Sequence, residues 1–134
     1  MRRMMVIANH CSLVERCLLK GLRALAWDEP DKAQLLLRRI GVEPAQMTVF
    51  ESLVHVIGQL VPAFDLLGPA SPYIMPDEWD LLAALAQVSR KSKGARLPAQ
   101  HPLPPVLDPL IEACGLTLAQ AGVALKSRML STRR

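Results

Sequence analysis

A chain of 134 residues, 51% of them hydrophobic, can bury about two-thirds of its unfolded surface in one core, but it is too short for two ordinary domains. Aromatics make up 4% and charged residues 21%, while Leu and Ala dominate, which favours aliphatic helix packing over a β-sandwich. The expected fold is all-α: a compact single-domain bundle of about five helices.

Residues 1–11 show no sustained period and are expected to form a flexible arm, ahead of a helical domain over residues 12–125. Ser12-Leu13-Val14-Glu15 fits a capping box, in which a Ser side chain and a Glu three residues on satisfy each other's free backbone donors. Val14, Cys17, Leu18, Leu22 and Leu25 then recur at helical spacing, so a first helix is predicted from about Ser12 to Trp27. Arg16, Lys20 and Arg23 occupy another face, and Cys17 falls on the apolar stripe as a small buried hydrophobe. Asp28-Glu29-Pro30-Asp31 reads as the start of a second helix, since acidic groups and Pro suit a first turn. Leu35, Leu36, Leu37 and Ile40 form its core face and Gly41 its cap. The short link predicts an antiparallel helical hairpin.

Glu43-Pro44-Ala45-Gln46 adds one turn before the most apolar stretch, Thr48 to Leu67, which is predicted as a central buried helix. Thr48-Val49-Phe50-Glu51 fits a second capping box, and Gly68-Pro69 reads as the stop. Pro62 inside this helix predicts a kink near Gly58 to Pro62, because proline removes a donor and crowds the carbonyl four residues back. After a turn-rich connector, Pro76-Asp77-Glu78 begins a fourth helix with Leu81, Leu82, Leu85, Ala86 and Val88 on its inner side.

Pro76-Asp77-Glu78-Trp79-Asp80-Leu81-Leu82-Ala83-Ala84-Leu85-Ala86, followed downstream by residues 107–121 and by Ala121-Gly122-Val123-Ala124-Leu125, resembles a group of short, uncharacterised helical proteins from proteobacteria. The likeness spans roughly the C-terminal two-thirds of the chain and rests on caps and aliphatic stripes. It implies a helical fold and no activity. Members of that group often carry cysteines just before the corresponding helix start, where this chain has Ser71-Pro72-Tyr73-Ile74-Met75.

Residues 92–105, with Gly94, Pro98, Pro102, Pro104 and Pro105, are irregular by composition. Val106, Leu107, Leu110, Ile111, Cys114, Leu118 and Ala121 then predict a fifth helix that runs through Gly115 and ends at Gly122. Residues 126–134 form a basic tail.

The net charge of +4 attracts phosphate in general. Yet Arg2, Arg3, Arg90, Lys91, Lys93, Arg96, Lys126, Arg128, Arg133 and Arg134, ten of the sixteen basic residues, sit in ends or a connector. That pattern reads first as solvated tails. Cys11, Cys17 and Cys114 are an odd number, and Val6-Ile7-Ala8 falls far short of a secretion-signal core, so reduced thiols in the cytoplasm are expected. No stretch is long and charge-free enough to predict a transmembrane span.

Chemistry-bearing groups are few. His10, Cys11 and Cys17 are metal-ligand types without a metal-site spacing, so no metal and no cofactor is expected. Glu51, His55 and Gln59 lie four apart and form one polar seam on the central helix, where a carboxylate could orient an imidazole as an acid/base pair requires. No nucleophile or phosphate-loop signature accompanies them. Trp27, Tyr73, Ile74, Met75 and Trp79 gather three of the five aromatics at two helix junctions, residue types enriched in interface cores. The favoured expectation is a non-catalytic protein that self-associates or serves a larger protein partner as an accessory. Two alternatives stand beside it: a nucleic-acid-associated regulator that uses its basic segments, and a small-molecule-binding protein or enzyme with a pocket near His55.

Overall fold

The computed structural model describes residues 5–6, 11–90, 103–123 and 125. Among them are five α-helices, α1 (Leu13–Ala26), α2 (Pro30–Arg38), α3 (Met47–Leu60), α4 (Pro76–Arg90) and α5 (Asp108–Gln120). Single 3-10 turns at Pro44–Gln46 and Pro105–Leu107 lead into α3 and α5. A two-residue antiparallel ladder joins β1 (Met5–Val6) to β2 (Tyr73–Ile74), with Met5 opposite Ile74. The fold is all-α, as composition implies. Met5 and Val6, expected in an unstructured arm, have partners, while the predicted 126–134 tail lies outside the described residues.

Two helix pairs, α1 with α2 and α4 with α5, flank α3, which packs on α1 and α5. Leu18, Leu19, Leu22, Leu37, Phe50, Leu53, Leu81, Leu85, Leu107, Ile111 and Leu118 fill the space between them. α3 therefore holds the middle position that its apolar content predicts. The helix buried round most of its girth is α4, from Asp77 and Glu78 through Asp80 to Ala86.

The capping box of α1 forms as its sequence requires: Glu15 N–H donates to Ser12 Oγ at 3.2 Å and Ser12 N–H to Glu15 Oε1 at 2.8 Å. Three helices end in the same Schellman geometry. In α2 the Val42 N–H donates to the Leu37 carbonyl at 3.0 Å across Gly41, whose φ is +92°. In α5 Val123 donates to Leu118 at 3.0 Å across Gly122, φ +74°. In α1 Glu29 donates to Ala24 at 2.8 Å across Asp28, a non-glycine residue at φ +58°. Asp28 thus terminates α1 before the second helix begins.

Both predicted ends of α3 shift. The helix starts at Met47, and the reciprocal cap lies earlier, where Glu43 N–H donates to Gln46 Oε1 at 2.9 Å. Thr48 is already inside the helix. At the other end Pro62 stops the helix instead of kinking it: Val61, with φ −131° and ψ 67°, has left the α region, which proline disfavours in the residue before it. Residues 61–72 run as an irregular segment, so Gly68-Pro69 caps no helix.

Gly115 lies within α5, and packing explains it. A Cβ added there would come within 2.4 Å of Val88 Cγ1 and 2.5 Å of Val88 Cβ, so α4 and α5 approach as closely as a glycine allows. Gly115→Ala is expected to cost about 1–3 kcal/mol through overpacking even though alanine is the better helix former. Asp28→Gly should instead gain stability, because glycine adopts a positive φ without steric cost. Urea unfolding of the two variants checks the opposite signs.

Candidate functional site

A cleft of about 850 Å³ opens between the end of α1 and the outer face of α3. Leu25, Ala26, Asp28 and Pro30 form one side. The α3 face from Thr48 to Gln59 forms the floor, and Val61, Pro62, Phe64 and Leu66 form the far wall. Glu51, His55 and Gln59, the predicted polar seam, all line it and are exposed. Helical spacing aligns them on one stripe, with Ser52 beside them. Among the described residues these four side chains make no hydrogen bond, so the imidazole has no fixed orienting partner.

The far wall is irregular backbone, and its polar groups are satisfied by the acidic first turn of α4. Asp65 N–H donates to Asp77 Oδ2 at 2.7 Å and Leu67 N–H to Glu78 Oε2 at 3.1 Å. Met75 N–H donates to Glu78 Oε1 at 2.9 Å, closing the N-terminus of α4 on itself. The partner that makes this carboxylate tolerable is Arg23 of α1. Its Nε donates to Glu78 Oε2 and its Nη2 to Glu78 Oε1, both at 2.8 Å, a bidentate pair with both residues fully buried. Arg23 Nη1 also donates to the Ser71 carbonyl at 3.1 Å and Nη2 to that of Tyr73 at 2.6 Å. Each Glu78 oxygen thereby accepts two hydrogen bonds, one from Arg23 and one from the backbone, which uses the capacity of an ionised carboxylate.

Sequence reasoning set Arg23 with Arg16 and Lys20 on a polar face; it is instead the most deeply placed cation of the described residues. Its partner is 55 residues away, and no local pattern signals such a distance.

The five junction residues divide. Trp27 and Tyr73 are exposed and Trp79 is half-buried against the core. Ile74 and Met75 are buried and present almost no surface, which corrects their place in a candidate interface: strand alternation turns Tyr73 outward and Ile74 inward, and Met75 is buried where the chain enters α4. Of the weak metal candidates, Cys11 and Cys17 are buried and His10 lies outside the described residues. No cluster of three metal-ligand side chains occurs among the described residues. Cys114 is buried where α5 meets α3, with Sγ donating to the Val49 carbonyl at 3.4 Å. Burial pushes its thiol up to about 12, which keeps it protonated and a poor nucleophile. Most of the basic side chains counted in the ends and the connector lie outside the described residues. Among the described residues no helix is long and apolar enough to cross a membrane.

Comparison with protein-family models, curated proteins and solved structures finds no match to this chain.

Replacing Arg23 by Met would strand the Glu78 carboxylate without its cation and free two backbone carbonyls. A loss of about 3–5 kcal/mol in urea unfolding is expected, typical of a broken buried pair. Arg23→Lys should recover only part of it, because an ammonium cannot reproduce the planar fork. A loss below about 1 kcal/mol for Arg23→Met would show that the pair behaves as a surface ion pair.

Proposed function

We propose that this protein is a non-catalytic interaction protein and that the cleft between α1 and α3 receives its partner, either another protein or a second copy of the chain. The cleft itself is the observation that carries the reading. Its floor and walls set aliphatic side chains, among them Leu25, Val54, Val56, Ile57, Val61 and Leu66, beside the polar seam, and two large apolar side chains stand exposed at its borders. Trp27, 59% exposed, sits between the lining residues Ala26 and Asp28; Leu60, 61% exposed, sits between Gln59 and Val61. Exposed apolar surface of this kind, edged by polar groups, is what partner surfaces present before they are covered. Catalysis draws less support: among the described residues the seam has no orienting contact to His55, and Cys114, where α5 meets α3, is a buried, protonated thiol.

A second reading follows from the same cleft. Its volume is within the range that small-molecule sites occupy, and the seam places polar groups along an apolar floor. Native mass spectrometry separates the two readings, since a protein partner and a retained small molecule add very different masses.

Gly58 supplies a clean variant, because it lines the cleft and a Cβ there meets nothing within 4 Å. Gly58→Phe should fill the cleft without disturbing the core. Wild-type protein purified from its host is expected to retain a protein partner or a second copy, and Gly58→Phe to weaken that complex about tenfold or more at unchanged thermal stability. A lone monomer, or a complex indifferent to Gly58→Phe, would sink the proposal.

A further inference from the structure

The chain is basic overall, at +4, but its cleft has the opposite character. Asp28 and Glu51 both line it, both are exposed, and no Lys or Arg is among the described lining residues. Among the described residues neither carboxylate has a hydrogen-bond or ion-pair partner. Both are therefore available to a ligand. The apolar part of the lining, from Leu25 across Val56 to Phe64, lies between and beside them.

Length discriminates between ligand types. The α3 floor runs from Thr48 to Gln59, which at about 1.5 Å per residue is roughly 16 Å. That is about three turns of a helix, longer than a small organic cation needs. An amphipathic helical segment laid in a groove makes contacts at i, i+3, i+4 and i+7, a span of about 10.5 Å that fits within this length.

Resting on the reading of the cleft as a partner site, we propose that its occupant is an amphipathic segment of a protein partner that carries lysine or arginine beside an apolar face. The apolar side chains lie on the floor against Val56 and Phe64, and the cations meet Asp28 at one side and Glu51 along the seam. Neutral donors and acceptors on Ser52, His55 and Gln59 serve the rim. Charge sets which segments are accepted, because apolar contact alone would admit any amphipathic helix.

The test uses the full chain and three fluorescent helical peptides. They share leucines at i, i+3, i+4 and i+7 and differ only in a polar face of Lys, Gln or Glu; spermine serves as the small-cation competitor. Fluorescence anisotropy should rank binding Lys above Gln above Glu, with the Lys affinity falling as salt rises. Asp28→Asn combined with Glu51→Gln should weaken the Lys peptide about threefold to tenfold, and Glu51→Lys should turn the preference toward the Glu peptide. Asn tolerates the left-handed backbone at position 28 and Glu51 is exposed, so these variants keep the fold, which circular dichroism checks. Equal binding of the three peptides, no binding of the Lys peptide, indifference to the charge variants, or full displacement by spermine would each overturn the proposal. A photo-crosslinker at Gln59 tells the two failures apart. Capture of a partner that the Lys peptide does not displace defeats only the charge assignment, whereas no capture defeats the partner reading beneath it.

Discussion

One buried ion pair, Arg23 with Glu78, ties the end of α1 to the start of α4 and to the segment that leads into it. Glu78 is the third residue of α4 and Arg23 lies in the last turns of α1, so their bidentate contact sets the approach of these two helices. Two charges removed from water incur a desolvation cost of several kcal/mol each, and their mutual attraction offsets it only when every remaining donor and acceptor is satisfied. The chain meets that condition with the backbone of the segment between α3 and α4, β2 included. Leu67 and Met75 donate to the carboxylate, while Ser71 and Tyr73 accept from the guanidinium. The pair needs the segment, and the segment, without a helix of its own, needs the pair.

The cleft follows from that mutual dependence. α3 ends where Pro62 forbids its continuation, and the chain then has to turn away with its backbone polar groups accounted for. Anchoring at Asp65 and Leu67 holds Val61, Phe64 and Leu66 as a wall facing the outer stripe of α3. A surface helix face becomes the floor of a groove. An interaction that contributes to stability therefore also shapes the surface on which partner recognition would occur.

Much of this was legible in the residues, and the exceptions have physical causes. α1, α2, α4 and α5 were readable because period and punctuation agree: Ser12 with Glu15, Gly41, the acidic start at Pro76, and Gly122 are local signals of local geometry. The end of α3 was not, since Val61, Phe64, Leu66 and Leu67 prolong the apolar pattern while burying their side chains partly from an irregular segment. Apolar content signals burial, not backbone conformation. Arg23 was misassigned because a cation at helical spacing looks solvated until its distant acceptor is known. Nothing local explains a glycine at position 115, because its reason, Val88, lies on another helix. The seam of Glu51, His55 and Gln59 is visible from spacing alone, and Pro62 signals a break in the helix beside it. The predicted kink is instead an end: the chain leaves α3 at Val61 and forms the cleft by returning along its face.

The central claim is that the Arg23–Glu78 pair fixes the 61–75 segment, and amide hydrogen exchange at Leu67 and Met75 measures it residue by residue. If the claim holds, both amides exchange only through opening close to global unfolding, as slowly as core amides of α4 and unlike a surface loop. Exchange of the Leu67 and Met75 amides at the rate of an unprotected chain would contradict it, and would remove the fixed wall from the cleft.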